Sequence, residues 1–336
     1  MLCDFLRNMQ MMPTLAILGA SGYSGQETLD RVLRHPELEV VALGSDSLAG
    51  STASALDVRL NGSLPAFVGN DEAAASGAEL VFLCLGNERA ASFEPPDGAV
   101  VVDLSGAHRL RETSLYPEWY GFEHPRPEAV GEWSYAVPEL WPPAGPLIAN
   151  PGCYATAAIL ALAPLRAAIE PSSVVIDAKS GISGAGRELK TSSHAGFVLE
   201  NVSPYRVGTH QHAPEIAQAL GFPVCFVPHL LPVRRGLIVT CYVRPTGDLR
   251  DLLEEEYADS EVVRVLPEGI SPELGRVGHT DCAEIAIFED RATDHAIVVC
   301  ALDNLGKGAA GQALQNANLA LGLDETLGLR VNGVLV

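Results

Sequence analysis

The sequence predicts an α/β protein with two domains: a parallel sheet covered by helices, and an α+β domain with a mostly antiparallel sheet. In the first third of the chain, continuous apolar strands alternate with helices, as in a parallel sheet buried on both faces. In the second half, predicted strands follow one another more directly, which favours antiparallel pairing. The length of 336 residues is long for one domain and fits two.

The first domain begins with a strand, a glycine turn, a helix and a second strand. The first strand is TLAILGA, from Thr14, and the helix SGYSGQETLDRVLRHPE stops at His35 and Pro36. The next strand is LEVVALGS, and two further buried strands follow in AELVFLCLG and AVVVDLSG. Residues 110–146 are rich in proline, aromatic residues and turns, so we predict a connecting region there rather than core.

The second half starts with the strand LIAN, which leads through PGC into a long helix predicted over residues 154–168. Further strands are predicted in SVVIDAKSGISGAG, FPVCFVPHLLPV, RGLIVTCYVRP and AIVVCALDN. An acidic helix, DLRDLLEEEYA, lies between two of them. The last helix, GAAGQALQNANLALGL, follows a glycine-rich turn.

Charge and hydropathy exclude several kinds of partner. The chain has 42 acidic and 22 basic residues, a net charge of −20, which repels nucleic-acid phosphates and anionic lipid. No apolar run approaches the roughly 20 residues that span a bilayer. We therefore predict neither a nucleic-acid nor a membrane partner. Residues 1–12 lack the features of a signal peptide, and we predict an unstructured extension there.

The seven cysteines are odd in number and widely spaced, with no C-x-x-C pair. This pattern predicts neither a disulfide framework nor a metal site, and it favours a reducing, cytoplasmic compartment. Cys84, Cys225, Cys241 and Cys300 lie in apolar strand-like runs and are predicted to be small core residues. Cys153 differs, because it follows Pro-Gly at a helix start, where backbone N–H groups and the helix dipole favour a thiolate.

The motif GASGYSG places three glycines at the first strand-to-helix junction, where a pyrophosphate can approach backbone N–H groups. Its spacing is G-x-x-G-x-x-G, and the alternative is a plain turn that binds nothing. The position favours a Rossmann-type dinucleotide site. The predicted cofactor contacts are Gly19, Ser21, Gly22, Tyr23, Ser24 and Gly25.

The end of the second strand bears on the choice between NAD and NADP. An acidic residue there binds a ribose hydroxyl, whereas an arginine accepts a 2′-phosphate. The sequence offers Ser45, Asp46 and Ser47 and no arginine. This favours NAD, or NADP held by serine hydroxyls and backbone groups.

The stretch GTHQHAPEI contains a candidate acid/base pair. If a helix starts near Ala213, His212 lies just before it and Glu215 is within reach to orient its imidazole. The alternatives are that His210 and His212 are surface histidines in a loop, or that they bind a metal, although no further ligands cluster nearby.

Three more stretches could contact ligands. The serines and glycines of KSGISGAGREL suggest close backbone approach to a ligand, or a flexible loop. Arg109 in DLSGAHRL could grip a phosphate or carboxylate, or form a surface ion pair with Glu112 or Asp103. Asn304 could bind a carboxamide, or it could mark a simple helix N-terminus.

Together these stretches resemble the N-acetyl-gamma-glutamyl-phosphate reductase family, which is related to the aspartate-semialdehyde dehydrogenases. The resemblance covers nearly the whole chain and rests on GASGYSGQE, IANPGCYATAAILALAP, SGISGAGRE, GTHQHAPEI, PHLLPVRRGL and DNLGKGAAGQALQN. The cysteine segment is the most specific. The resemblance implies an enzyme of arginine biosynthesis that uses NADPH to reduce N-acetyl-glutamyl 5-phosphate to N-acetyl-glutamate 5-semialdehyde and phosphate.

The resemblance also implies roles for single residues. Cys153 would be the nucleophile that forms a thioester, His212 the acid/base group, Glu215 its orienting neighbour and Arg109 a phosphate contact. Further substrate contacts would be Asn150, Ser180 and His210, and further cofactor contacts Ser45, Ser183, Gly184 and Asn304.

The resemblance further implies the division into domains. Residues 13–150 and 305–336 would form the dinucleotide-binding domain, because the C-terminal helix would return to it. Residues 151–304 would form the catalytic and dimerisation domain. Assembly as a homodimer or homotetramer is expected.

The sequence departs from the family pattern in the cofactor half. Asp46 stands where an arginine is often seen, so NAD remains an alternative cofactor. Residues 86–88 replace a PHG-like turn, and DLSGAHR differs from the usual SADFR while keeping Arg109.

Two alternative functions remain open. One is a reductase of a carrier-protein-linked aminoadipyl or glutamyl phosphate, which Tyr154 after Cys153 disfavours. The other is a non-catalytic dinucleotide sensor, which would have no need for Cys153, His212 and Glu215 together.

Overall fold

The computed structural model describes residues 12–60, 64–187 and 194–333. Two sheets organise these residues, and the predicted α/β fold with a parallel and a mostly antiparallel sheet is confirmed. We predicted an extension at residues 1–12, and residues 1–11 of it lie outside the described residues.

The first sheet consists of seven parallel strands in the order β3-β2-β1-β4-β5-β7-β6. Its inner strands are mostly apolar because helices cover both faces, and every residue of β4 and β5 is buried. The strands are β1 Thr14–Leu18, β2 Glu39–Gly44, β3 Phe67–Val68, β4 Leu80–Leu83, β5 Val100–Asp103, β6 Ser134–Tyr135 and β7 Leu147–Ala149.

The second sheet has the order β12-β13-β14-β11-β8-β10-β9. Only the pairs β12–β13 and β8–β10 are parallel within it. The strands are β8 Val175–Gly181, β9 Ser203–Pro204, β10 Cys225–Leu231, β11 Leu237–Val243, β12 Val263–Val265, β13 Ala283–Glu289 and β14 Ala296–Leu302.

Helices pack on both sheets. The α-helices of the described ranges are α1 Tyr23–Val32, α2 Asn70–Ala74, α3 Asn87–Ala91, α4 Tyr116–Trp119, α5 Cys153–Leu162, α6 Ala195–Val198, α7 His212–Leu220, α8 Arg250–Glu256, α9 Leu274–Val277 and α10 Gly311–Leu321. Short 3-10 turns lie at Ala53–Ala55, Thr113–Leu115, Pro127–Glu132, Pro171–Ser173 and Ile182–Ala185. A π-helical turn, Gly306–Ala310, runs directly into α10.

Helix α5 is shorter than the sequence predicts. We expected residues 154–168, but the helix ends at Leu162 and Pro164 follows. Proline lacks the N–H that would bond the carbonyl four residues earlier, and its ring clashes with that carbonyl. The freed carbonyl of Leu160 instead accepts a hydrogen bond from the Tyr257 hydroxyl at 2.7 Å.

The prediction that residues 110–146 form only a connecting region is wrong for the start of this segment. Tyr116 is fully buried and packs with Leu110, Phe122 and Ala107 in a small apolar cluster. The Tyr116 hydroxyl also accepts the Leu110 N–H at 3.1 Å. These aromatic residues therefore form a small apolar cluster together with Ala90 and Ala91 of α3.

The cysteine predictions hold in part. Cys241 and Cys300 are buried in the second sheet, as expected, and Cys84 is half-buried at the end of β4. Cys225 is exposed because it is the first residue of β10 and its side chain points out of the core. In the described part of the chain, no helix is both long and apolar enough to cross a membrane.

The C-terminal helix α10 returns to the first sheet. Ala313, Leu314 and Ala317 are part of the same core cluster as β1 and α1. The side chain of Gln312 donates to Thr156 Oγ1 at 3.0 Å, which ties α10 to α5. This contact brings the start of α10 next to the start of the cysteine helix.

Candidate active site

Cys153 is the first residue of α5, directly after the turn that leaves β7. The preceding Gly152 is the N-cap and gives the helix no side-chain cap, so the N–H groups of the first turn stay open. The π-helical turn packs on the cysteine, since a Cβ at Gly308 would lie 2.8 Å from Cys153 Cβ. Cys153 therefore lies between the start of α5 and the π-helical turn.

Burial disfavours charge on this thiol. It raises the pKa of Cys153 to about 11, although the charge of Arg109 and the Tyr154 N–H act in the opposite direction. Desolvation therefore opposes the thiolate that the helix start was expected to favour. At neutral pH the thiol is protonated and needs a base.

His212 is the first residue of α7 and lies over Gly152. A Cβ at Gly152 would be only 2.2 Å from His212 Nε2 and 2.7 Å from Arg109 Nη1, so only glycine fits between these groups and the backbone. His210 and His212 are 4% and 6% exposed, which excludes the alternative of surface histidines.

The His212 imidazole is neutral. Burial lowers its pKa well below the usual value, and His210 and Arg109 lower it further. A neutral imidazole is a proton acceptor. Its Nδ1 has no hydrogen-bond partner among the described residues.

Glu215 lies on α7 with its carboxylate fully buried. Its Oε1 accepts hydrogen bonds from the Gly152 N–H at 2.8 Å and the Tyr135 hydroxyl at 2.9 Å. Its Oε2 is 3.6 Å from Arg109 Nη1 and 3.9 Å from His212 Nε2. Burial raises the pKa of Glu215, while Arg109 opposes that rise. Glu215 thus fixes the turn before the cysteine and makes no direct hydrogen bond to the imidazole here.

Arg109 is buried, and two of its three guanidinium nitrogens donate to backbone carbonyls. Its Nε donates to the Asn150 carbonyl and its Nη2 to the Leu104 carbonyl, both at 2.9 Å. Burial alone would lower the pKa of this guanidinium, but the charge of Glu215 raises it, so Arg109 stays cationic. The remaining nitrogen, Nη1, faces Gly152. One cationic donor is therefore directed at the start of α5.

The surface ion pairs considered for Arg109 are not what the structure shows. The Asp103 carboxylate bonds His108 Nδ1 at 2.7 Å instead. The Glu112 carboxylate accepts from the Ser114 hydroxyl at 2.7 Å. Arg109 is left with Glu215 as its carboxylate neighbour.

Two predicted substrate contacts, His210 and Asn150, make hydrogen bonds to protein groups around the site. His210 Nδ1 accepts the His212 backbone N–H at 3.1 Å, and burial lowers the pKa of His210 to about 3. The Asn150 side chain accepts from Asn316 at 3.1 Å and donates to the Ala309 carbonyl at 3.3 Å. Their polar atoms are thus engaged in holding α7 and β7 in place.

The glycine-rich loop has the shape that a pyrophosphate requires. Gly19 has a φ of +78°, and a Cβ there would lie 2.2 Å from the Cys84 carbonyl oxygen. A Cβ at Gly25 would lie 2.3 Å from the Gly19 carbonyl oxygen. Gly22 caps α1 without a side-chain hydrogen bond, so the first N–H groups of α1 are free for an anion. The loop therefore fits a dinucleotide.

Serine hydroxyls line the edge of this loop. Ser21 Oγ is 2.8 Å from Ser45 Oγ, which is 3.3 Å from Ser47 Oγ. Tyr23 is 38% exposed at the start of α1. Ser24 instead faces the thiol of Cys84, beneath the loop.

The loop after β8 meets the end of β14. Asn304 Nδ2 donates to Ser183 Oγ at 2.9 Å, and its Oδ1 accepts the Gly236 N–H at 2.8 Å. A Cβ at Gly184 would be 3.0 Å from Ser180 Oγ. The four predicted residues Ser180, Ser183, Gly184 and Asn304 therefore form one cluster.

Comparisons with known proteins show the family of the chain. Residues 14–144 match the family described as semialdehyde dehydrogenase, NAD binding domain, and residues 153–304 match semialdehyde dehydrogenase, dimerisation domain. A protein of Salinispora tropica named N-acetyl-gamma-glutamyl-phosphate reductase is 43% identical over 332 residues, covering 95% of this chain and 98% of that protein. One of the same name from Pelotomaculum thermopropionicum is 39% identical over 350 residues, covering 96% and 99%.

The chain belongs to the N-acetyl-gamma-glutamyl-phosphate reductase family. The resemblance stated from the sequence is confirmed, and with it an oxidoreductase that binds a nicotinamide dinucleotide.

Solved structures show the same fold. Aspartate semialdehyde dehydrogenase II of Vibrio cholerae, complexed with ASA, has a TM-score of 0.72 at 18% identity, covering 93% of this chain and 98% of that one. Aspartate semialdehyde dehydrogenase of Candida albicans, with NADP, has a TM-score of 0.58 at 17% identity, covering 92% and 99%. At these identities the likeness concerns the fold of the reductase.

Sequence reasoning missed several residues of the reductase site. Tyr135 binds Glu215 but lies in a proline-rich stretch without a motif. Arg187 donates to the Ser21 carbonyl at 2.6 Å and so joins the loop after β8 to the glycine loop. Arg235 lies within the stretch PHLLPVRRGL, whose local pattern indicates no role for it.

Arg235 links the two sheets through carboxylates. Its Nη1 donates to Glu27 Oε1 and its Nε to Asp303 Oδ2, each at 2.7 Å. Burial alone would raise the pKa of Glu27, but Arg235 and Arg31 lower it to about 2. This network holds α1 against the end of β14. Within the described ranges, no group of three or more His, Cys, Asp or Glu is placed to hold a metal.

Proposed function

We propose that this reductase converts N-acetyl-glutamyl 5-phosphate and NADPH into N-acetyl-glutamate 5-semialdehyde, phosphate and NADP⁺, in arginine biosynthesis. The observation that carries the proposal is the convergence of Arg109 and His212 on Gly152, beside Cys153. Relatives with 39–43% identity over nearly the whole chain carry the matching name.

The first step joins the substrate to Cys153. The neutral His212 imidazole accepts the thiol proton while the sulfur attacks the γ-acyl carbon. The carbon–sulfur bond forms, the bond to the phosphate oxygen breaks and phosphate leaves as an anion. The open N–H groups of the first turn of α5 stabilise the oxyanion of the addition step.

Arg109 supports the departure of phosphate. Its Nη1 faces Gly152 while its other nitrogens are anchored to backbone carbonyls, so the guanidinium is already oriented. An oriented cation matters in a chain with a net charge of −20, whose general field repels an acyl phosphate.

The second step releases the aldehyde. When bound, the nicotinamide cofactor would supply the hydride for reduction of the thioester carbonyl. As the resulting hemithioacetal oxyanion collapses, the carbonyl re-forms, the carbon–sulfur bond breaks and the protonated His212 returns its proton to the sulfur. Cys153 and His212 then have their starting protonation states.

We also propose the predicted domain division, with residues 13–150 and 305–336 forming the dinucleotide-binding domain and residues 151–304 the catalytic domain. The packing of α10 against α1 and β1 supports it. The match of residues 153–304 to a dimerisation domain supports a homodimer or a homotetramer built from such dimers.

The reverse reaction tests the proposed function. The enzyme is mixed with N-acetyl-glutamate 5-semialdehyde, phosphate and either NADP⁺ or NAD⁺, and formation of the reduced nicotinamide is followed by absorbance. We expect phosphate-dependent turnover, faster with NADP⁺. Turnover only with a carrier-protein-linked aminoadipyl or glutamyl semialdehyde would overturn the substrate, and binding of the dinucleotide without turnover of either substrate would favour a sensor.

A further inference from the structure

An arginine that the sequence pattern does not point to lies at the end of β2. Arg89, on α3, forms an ion pair with Asp46, which follows β2 by two residues. Its Nη2 also donates to Asp71 Oδ1 at 2.9 Å. The end of the second strand is where this kind of fold binds the adenosine ribose of a dinucleotide. The Arg89 guanidinium therefore lies beside Asp46 at the end of β2, where the local sequence contains an acidic residue and no arginine.

Asp46 is already engaged by protein groups. Its Oδ1 accepts the Asn70 N–H at 2.9 Å, and its Oδ2 faces Arg89. The Asn70 side chain in turn accepts the Gly19 N–H at 2.8 Å. Asp46 and Arg89 are thus connected to the glycine-rich loop, which fixes their position relative to a dinucleotide.

The structure points to Arg89 as the residue that recognises the 2′-phosphate of NADP(H), with Asp46 as its positioning residue. This inference rests on the proposed use of NADPH. A guanidinium is always charged and offers paired N–H groups that match phosphate oxygens. The Arg89 side chain is 43% exposed, so a ligand can reach it.

The carboxylates do not block this role. The Asp71 side chain is 98% exposed, so its carboxylate can leave Arg89 for water at little cost when a dianionic phosphate arrives. Asp46 stays in place because Asn70 and Arg89 hold it. The hydroxyls of Ser45 and Ser47 add neutral donors at the same edge.

The test compares two ligands on the whole enzyme by isothermal titration calorimetry. Adenosine 2′,5′-bisphosphate and 5′-AMP differ only in the 2′-phosphate, and neither carries a nicotinamide, so the measurement does not depend on turnover. We expect the enzyme to bind the bisphosphate at least about tenfold more tightly, and Arg89→Gln to remove about tenfold or more of that affinity, the scale of one charge-assisted contact. Binding of 5′-AMP should change by less than about twofold, since it lacks the charge that Arg89 binds.

A matched control is available. Arg59 is 86% exposed and pairs with Asp57 in the same part of the chain, so Arg59→Gln removes a similar surface ion pair. It should leave both affinities unchanged. In the reverse reaction, Arg89→Gln should raise KM for NADP⁺ and leave kcat unchanged, because Arg89 lies at the ribose end of the cofactor.

Two results would overturn the inference. In one, Arg89→Gln leaves the affinity for the bisphosphate unchanged. In the other, Asp46→Asn weakens binding of 5′-AMP but not of the bisphosphate, which would show that Asp46 accepts the ribose 2′-hydroxyl itself instead of positioning Arg89. Neither result affects the proposed reduction, because turnover of N-acetyl-glutamate 5-semialdehyde with either nicotinamide is measured separately.

Discussion

Burial keeps both members of the proposed reacting pair neutral. The pKa of Cys153 is raised to about 11 and that of His212 is well below its usual value. The proton therefore rests on sulfur, and the imidazole is ready to accept it only during attack. This arrangement avoids a charged thiolate in a desolvated site, which would be costly without a partner.

The pH dependence of alkylation follows from this pKa. Thiolate is the reactive form, so the rate at which iodoacetamide modifies Cys153 should rise continuously from neutral pH towards pH 11. Peptide mass spectrometry separates Cys153 from the exposed Cys225, which serves as an internal reference. A plateau of the Cys153 rate near neutral pH would show an acidic thiol and contradict the account.

Replacing His212 tests the proposed proton acceptor. For His212→Asn we expect turnover to fall by about 100-fold or more, the usual scale for loss of a general acid–base group. His295 lies in the turn before β14, where its Nδ1 contacts Thr293, so His295→Asn is the matched control. Turnover within a few-fold of the parent enzyme in His212→Asn would place the base elsewhere.

At the level of elements, two strand-to-helix turns position the cofactor-binding N–H groups and the proposed nucleophile. The β1–α1 turn brings open N–H groups to the dinucleotide, and the β7–α5 turn brings the cysteine to the same end of the first sheet. Both turns lie at the carboxyl ends of parallel strands, where ligands of such sheets bind.

Substitutions at two glycines of the β1–α1 turn should separate an effect on stability from an effect on dinucleotide binding. A Cβ at Gly25 would lie 2.3 Å from a backbone oxygen, whereas a Cβ at Gly22 meets its nearest atom at 3.4 Å. Gly25→Ala should therefore lower the thermal midpoint and weaken dinucleotide binding. Gly22→Ala should keep the midpoint and weaken binding only, because the added methyl group has room within the protein but lies in the loop that a pyrophosphate would approach. Equal midpoints in thermal scans of both variants would contradict this view of the turn.

Short-range patterns carried most of what the sequence could predict. The glycine turn, the cysteine at a helix start and the spacing of His212 and Glu215 are local patterns, and the structure places Gly22, Cys153 and His212 each at the start of a helix. Tyr135 is 80 residues from its partner Glu215, and Arg89 is 43 residues from Asp46. Such pairs arise from strand order. The raised pKa of Cys153 likewise follows from packing that no local pattern contains.

At the scale of the molecule, a buried ion pair joins the two halves. Arg31 on α1 donates to Asp281 through Nε at 2.8 Å and Nη2 at 2.6 Å, and both side chains are fully buried. The other Asp281 oxygen accepts the Arg330 N–H at 2.8 Å. This pair fixes α1 against the segment before β13 and so fixes the cofactor turn relative to the second sheet.

Removing one partner of the Arg31–Asp281 pair should destabilise the fold strongly, because the other charge stays buried. Asp281→Asn should lower the free energy of unfolding by about 3–5 kcal/mol. Arg34 lies in the turn that follows α1 and pairs with Asp30 at the surface. Arg34→Gln should therefore lower the free energy of unfolding by at most about 1 kcal/mol. Urea unfolding followed by circular dichroism measures both, and equal losses would contradict the structural role of the buried pair.

The central claim is that Cys153 carries the acyl group between substrate and cofactor. The most direct measurement is intact-protein and peptide mass spectrometry after the enzyme has reacted with N-acetyl-glutamate 5-semialdehyde and NADP⁺ without phosphate, followed by an acid quench. The account expects an added N-acetyl-glutamyl group on Cys153, removable by hydroxylamine and absent in Cys153→Ala, which should still bind the dinucleotide. An unmodified Cys153 in an enzyme that turns over once phosphate is added, or turnover by Cys153→Ala, would contradict it.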